Sequence, residues 1–178
     1  SPSEYQSSKA RAEEVVRSSG LQWTIMRPSL IFGVGDGFFS GTLRGLVTKP
    51  PVIPVVGTGE YRFRPVWIGD VATAFVRALE RQETAERSFD LVGPREYTLR
   101  QLLVLVRAHL GSTKPLVSVP LPLMRLGTAL FSLIPNPPIT RDQLQMLLAG
   151  NTGDPGAAVE AFGLELAALE EWLPEVLG

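Results

Sequence analysis

Tyr5 and Lys9 stand four residues apart in the stretch Tyr-Gln-Ser-Ser-Lys. On a helix that spacing brings both side chains to one face, within reach of each other. A free phenol ionises near pH ~10 and is a poor acid or base at neutrality. A neighbouring ammonium favours the phenolate and draws that pKa down. Such a pair can give or take a proton at a carbonyl or alcohol while a hydride moves to or from a cofactor. By spacing alone, the commoner meaning is an amphipathic helix with a packed tyrosine and a solvated lysine.

Other chemically capable residues have narrower readings. Arg27 can pair with a carboxylate at a strand end or reach a substrate. Asp70 precedes an apolar helix and reads as its N-cap rather than as an acid. His109 falls near a helix C-terminus, where a cation is favoured. It is the only histidine, and there is no cysteine, which excludes disulfides, thiolate zinc sites and a histidine-rich metal centre. Trp67 reads as core or cleft lining. Glu13-Glu14 and Glu170-Glu171 read as solvated helix faces. With 17 basic and 18 acidic residues and a net charge of -1, nothing concentrates a basic face, so no nucleic acid is expected as a partner.

The elements that must position these residues follow from periodicity and punctuation. A helix is predicted over 3–19, capped by Ser3 and ended by Gly20, then a short strand over 21–26 closed by Arg27-Pro28. A glycine loop runs from Ile31 to Gly37, and a helix over 38–47 stops at Lys49-Pro50-Pro51. Strands are expected at 52–56 and 61–68 around the turn Gly57-Thr58-Gly59-Glu60. A helix over 71–81, a strand over 88–92, a helix over 99–110 capped by Thr98 and a strand over 116–119 complete the alternation. Helices are expected at 121–133, 140–149 and 165–177. This order predicts an α/β fold, the C-terminal part of a doubly wound, Rossmann-like sheet with a smaller, mostly helical substrate-side region. The division expected is 1–95 for the sheet portion and 96–178 for the helical region. An α/β unit ordinarily opens on a strand and a glycine-rich turn, whereas this chain opens inside a helix and reads as a fragment.

The segment YQSSKARAEEVVRSSGLQWTIMRPSLIFGVGD resembles the active-site region of the extended short-chain dehydrogenases/reductases, the NAD-dependent epimerase/dehydratase superfamily. There, a Tyr-x-x-x-Lys helix precedes a short strand, an Arg-Pro pair and a glycine turn. Here these are Tyr5, Lys9, Trp23 to Met26, Arg27-Pro28 and Gly33. Further on, RFRPVWIGDVA resembles the later strand and helix start. RPSLIFGVGDGFF, RFRPVWIGDVA and ITRDQL are most similar to a branch that includes the nucleotide-binding accessory subunit of mitochondrial complex I and bacterial relatives.

The resemblance implies that Tyr5 is the catalytic acid/base and contacts the cofactor. It implies that Lys9 lowers the pKa of Tyr5 and binds the nicotinamide ribose. Pro28, Ser29 and Leu30 would lie against the nicotinamide of NAD or NADP, which would be held mainly by an N-terminal half outside this chain. Arg62, Arg64 and Trp67 would stand on the side of a small-molecule substrate. Leu30 replaces an asparagine common in sugar-nucleotide enzymes, and Phe63 falls at their anion-binding position. The upstream Ser/Thr and the glycine-rich fingerprint are absent, and Gly33-Val34-Gly35-Asp36-Gly37 does not fit the fingerprint.

Two functions follow: an NAD(P)-dependent oxidoreductase or epimerase acting at a carbonyl or alcohol, and a non-catalytic dinucleotide-binding subunit that stabilises an assembly. Residues 1–14 do not read as a secretory leader, and the apolar stretch 119–135 is too broken to span a bilayer. Segment 121–131, with one arginine, reads as cleft packing more than as a membrane-contacting helix. A cytoplasmic location is expected; the oligomeric state is not legible.

Overall fold

The protein, seen as a computed structural model, is described over residues 4–124 and 141–178. The expected cap at Ser3, the helix start at Thr140 and most of the 121–133 helix lie outside the described residues.

Helix α1 (Glu4–Arg17) carries Glu4 in its first turn and Arg17 in its last, the signs its dipole favours. Gly20, at φ 71, turns the chain out of it. Strand β1 (Thr24–Pro28) follows, then the two-residue strand β2 (Ile31–Phe32). The expected α-helix over 38–47 begins instead as a π-helical turn, Gly37–Leu43, and only then becomes α2 (Arg44–Thr48). Asp36 caps the turn, accepting from the amides of Phe38 at 2.8 Å and Phe39 at 2.5 Å. Strand β3 (Ile53–Val56) comes next.

The expected strand over 61–68 is two short ones, β4 (Arg62–Phe63) and β5 (Val66–Trp67), because Pro65 has no N–H to offer a ladder. Helix α3 (Ile68–Glu80) starts earlier than expected, and this corrects the reading of Asp70. The N-cap position is Trp67, while Asp70 lies in the first helical turn. A 3-10 turn (Gln82–Thr84) leads to β6 (Arg87–Leu91). Strand β7 (Tyr97–Thr98) runs into α4 (Leu99–His109). There the Thr98 side chain and Gln101 form a full capping box, and Gly111 at φ 62 ends the turn. Strand β8 (Leu116–Val119) precedes α5 (Arg141–Ala149), α6 (Gly156–Phe162) and α7 (Leu169–Leu177). Helix α6 was not anticipated, and the tail helix is shorter than 165–177.

The pairing confirms the α/β reading. Strand β1 runs parallel to β6 in the register Thr24↔Arg87 to Pro28↔Leu91, β2 parallel to β5, and β3 parallel to β8. Among the described residues, only β4 and β7 form an antiparallel strand pair. The β1-to-β6 connection contains α3, as a parallel crossover requires. Two apolar clusters hold these parts. One gathers Phe32, Phe39, Val47, Ile53, Leu102, Leu103 and Leu177 between β3, α2, α4 and α7. The other joins Phe89 and Leu91 of β6 to Val71 and Ala74 of α3 and Ala158 and Phe162 of α6. Phe89 and Phe162 meet edge to face at 4.7 Å. Burying such side chains is worth about 1.5–3 kcal/mol each, which makes these clusters the main support of the fold.

Candidate nucleotide and substrate site

Tyr5 and Lys9 both lie on α1, which has no buried residue. Tyr5 is half exposed, and the Lys9 ammonium stands 5.6 Å from the centre of its ring, over the face rather than at the hydroxyl. The pair is thus adjacent, as the spacing predicts, and open on one side. Below it, Glu13 locks α1 to β1 through a two-pronged pair with Arg27, at 2.8 and 2.7 Å, and also receives Arg17 at 2.8 Å. The Arg27 hydrogen bonds, outweighing some desolvation, pull the Glu13 pKa down from 4.5 to about 2. Of the two readings open for Arg27, the structure supplies the carboxylate partner.

Pro28 ends β1, and the next two residues join the layers. Ser29 is buried, its amide donating to Leu91 O at 2.9 Å and its hydroxyl to the Arg64 carbonyl. The Leu30 carbonyl accepts from the Val66 amide at 3.0 Å. The Pro28–Leu30 backbone therefore sits where β1, β2, β5 and β6 meet, at the carboxyl end of β1. In open α/β sheets the ligand crevice lies at that end of the strands.

The three substrate-side residues have separate surroundings. Arg62 is exposed and pairs with Glu96 at 2.7 Å. Arg64 donates to the carbonyls of Gly153 at 2.7 Å and Pro94 at 3.3 Å, while its Nε is buried and unpartnered. Trp67 lies under Trp172 of α7, the rings stacked at 4.3 Å and 21°. Gly69 permits this, since a Cβ there would run into the Trp67 ring.

Further contacts were hidden from sequence reasoning. The Tyr97 hydroxyl donates to Glu170 at 2.7 Å, and Arg95 approaches the same carboxylate at 3.4 Å. Burial, then the Glu170 charge, pushes the Tyr97 pKa above its ordinary value. Desolvation raises the pKa of Glu170, but the Tyr97 hydrogen bond and Arg95 outweigh it and hold the carboxyl below its usual range. Glu170 is thus not simply the solvated charge its sequence position suggests. Asp70 is buried, and desolvation raises its pKa, opposed by the Ala167 amide that donates to it at 3.0 Å. No spacing in the sequence signals a partner so distant along the chain. A hollow of about 240 Å³ lies between α6 and the segment that joins α3 to β6, lined by Arg81, Glu83, Arg87, Ala157, Glu160 and Ala161, away from all of these residues. Among the described residues no cluster of acidic groups and histidine could hold a metal ion.

A parallel α/β crossover defines the fold class, and similarity to known proteins names the family. Residues 1–93 match the NAD dependent epimerase/dehydratase family, and the chain belongs to that family. It is 31% identical over 130 residues to the mitochondrial NADH dehydrogenase [ubiquinone] 1 alpha subcomplex subunit 9 of Arabidopsis thaliana, covering 72% of this chain and 32% of that protein. To the mouse protein of the same name it is 31% identical over 180 residues, covering 96% and 45%. The chain thus spans about a third to a half of these relatives' length. In fold it is similar to the UDP-glucose 4-epimerase of Thermotoga maritima, with a TM-score of 0.67 at 23% identity over 97% of this chain and 50% of that one. It also resembles a UDP-glucuronic acid 4-epimerase of Bacillus cereus solved with NAD, at a TM-score of 0.61 and 12% identity over 86% and 43%.

One expectation is overturned. The curated relatives are mitochondrial proteins, so the cytoplasmic assignment made from the polar N-terminus does not stand. Location is read by targeting machinery from segments that a fold-bearing sequence need not contain. Among the described residues no helix is long and apolar enough to cross a membrane.

Proposed function

We propose that this chain is the substrate-side portion of a longer dinucleotide-binding protein that serves as an accessory subunit of an assembly, its NAD(P) stabilising the subunit rather than turning over a sugar nucleotide. The observation that carries this reading is the state of the substrate side. Arg64 is committed to the chain's own carbonyls, and Trp67 is roofed by Trp172. An anion-binding arginine needs free donors facing a cleft, whereas both terminal nitrogens of Arg64 are held by backbone oxygens and its unpartnered Nε is buried. The relatives' names, NADH dehydrogenase and NADH-ubiquinone oxidoreductase subunits, support protein partners in an assembly of several subunits.

The residues present fit the nicotinamide end of a dinucleotide. Lys9 would hydrogen-bond the ribose, and the Pro28–Leu30 backbone would line the ring, with Ser29 fixing that backbone through its buried bonds. The bound cofactor supplies hydride chemistry. The second reading, an oxidoreductase or epimerase, draws on the adjacency of Tyr5 and Lys9, with Tyr5 moving a proton at a carbonyl or alcohol and exposed Arg62 meeting an anionic substrate group.

Cofactor binding and turnover, measured together on the full-length protein, separate the two. The expected outcome is tight NAD or NADP binding without consumption of a carbonyl panel or interconversion of UDP-sugars. Turnover that drops about 10²–10⁴-fold in Tyr5→Phe with cofactor affinity kept would establish the enzyme instead.

A further inference from the structure

Arg64 ties together three segments that are far apart along the chain. Its amide donates to Asn151 O at 2.9 Å, and its guanidinium donates to Gly153 O at 2.7 Å and to Pro94 O at 3.3 Å. Its own carbonyl accepts from the Gly93 amide at 3.2 Å and from the Ser29 hydroxyl. One residue thus joins the link between α5 and α6, the turn after β6 and the end of β1. The chains press closely here. A Cβ on Gly93 would run into the Pro65 carbonyl, and one on Gly150 into that of Arg62.

Ser29 is where this hub meets the candidate cofactor side. It is the middle residue of the Pro28–Leu30 backbone, and it is buried. Two backbone bonds hold that stretch, Ser29 N to Leu91 O at 2.9 Å and Val66 N to Leu30 O at 3.0 Å. Both follow from strand pairing, and neither uses the Ser29 hydroxyl. That hydroxyl has the Arg64 carbonyl as its acceptor. The carbonyl is in turn held in a ring: Gly93 donates to it, while the neighbouring Pro94 carbonyl accepts from the Arg64 guanidinium. Turning the Arg64 peptide breaks bonds at both ends of the ring, so the acceptor of Ser29 is kept still. The grip persists although the Arg64 Nε is buried without a partner among the described residues, which carries a desolvation cost.

We propose that Arg64 is a positioning residue for the nicotinamide end of the dinucleotide: through its carbonyl and the Ser29 hydroxyl it fixes the Pro28–Leu30 backbone, and it contacts no ligand itself. The proposal rests on the reading above, in which that backbone lines the nicotinamide ring. A wall fixed before the ligand arrives spares the ordering cost of binding. It also makes the two regions one unit, because a displacement of Gly93-Pro94 or of Asn151–Gly153 reaches the wall by way of Arg64 and Ser29.

NADH and ADP-ribose, each titrated into the full-length protein, separate this role from a merely structural one. ADP-ribose lacks the nicotinamide and does not sense the wall. Arg64→Met and Ser29→Ala are each expected to weaken NADH about 3- to 10-fold, the loss that one hydrogen-bonded support carries. Each is also expected to shift the emission of bound NADH, while ADP-ribose binds as it does to the wild type. The double variant is expected to lose no more than the larger single loss, since both changes act along one route. Equal weakening of the two ligands, or losses that add in the double variant, overturns the proposal. If Arg64→Met fails to fold, Arg64→Lys, which keeps the apolar stem and loses the fork, takes its place in every comparison and is held to the same outcomes. Wild type that binds neither ligand sinks the dinucleotide reading and this proposal with it. Wild type that binds both, with the variants unchanged, sinks the positioning role alone.

Discussion

Glu13 joins α1 to β1 with a charge arrangement that acid should undo. Its pKa is about 2 in the fold against 4.5 in a free side chain, so its contribution is complete above pH ~4.5 and is lost as pH falls toward 2. Both partners are partly exposed, which screens the pair, and a two-pronged surface pair is worth about 0.2–1 kcal/mol. Glu13→Gln is expected to cost that amount in urea unfolding at pH 7 and to converge on the wild type near pH 2; an unchanged difference at both would refute the assignment. Tyr97→Phe should cost more, about 1.5–3 kcal/mol, because it leaves a carboxylate in a half-buried place without its hydroxyl donor. Glu170→Gln keeps an acceptor for that hydroxyl and should lose less in the same measurement. Among single residues, the adjacency of Tyr5 and Lys9 was legible because their relation is local. The contacts of Glu170 and Asp70 were not, since their partners Tyr97 and Ala167 lie 73 and 97 residues away.

Elements were legible where their signals are short-range. Thr98 announced α4 because a capping box is complete within four residues, and Gly20 and Gly111 announced two ends because each needs a positive φ. The Gly37–Leu43 segment was misread as α-helix because apolar spacing does not separate an i+5 turn from an i+4 one. Helix α6 was missed because Asp154-Pro155-Gly156 reads as a turn and the helix is only seven residues long. Asp36 binds two amides at the start of the π-helical turn, and its removal tests that element. Asp36→Ala leaves those donors without a protein partner in a partly buried place and should cost about 1–2 kcal/mol in thermal or urea unfolding. Asp36→Asn keeps the accepting oxygen and is expected to recover most of the loss. Equal losses in the two variants would mean that the cap contributes nothing.

On the scale of the whole molecule, the α/β class followed from alternation alone, but the sheet's true pairing did not, since β3–β8 and β1–β6 join residues more than sixty apart. The same architecture argues that residues 1–178 alone bind NAD and NADP weakly. A dinucleotide is held chiefly by its pyrophosphate, seated on free amides at a helix N-terminus that a glycine-rich turn opens. The glycine loop Gly33 to Gly37 leads into a helical segment, and the first free amides there, those of Phe38 and Phe39, are already filled by the acidic side chain of Asp36. An anion arriving there would meet that acid in place of open donors, and the segment that follows is a π-helical turn. What is left is the nicotinamide end, Lys9 on α1 and the Pro28–Leu30 backbone at the end of β1. Removing the pyrophosphate seat removes most of the binding energy, and the few contacts that remain must still meet the entropic cost of association. Calorimetric titration of the 178-residue chain with each dinucleotide is expected to show no micromolar binding, whereas the full-length protein is expected to bind. Micromolar affinity in the shorter chain would mean that a complete nucleotide site lies within these residues, and the division of labour proposed for the two portions would have to be abandoned.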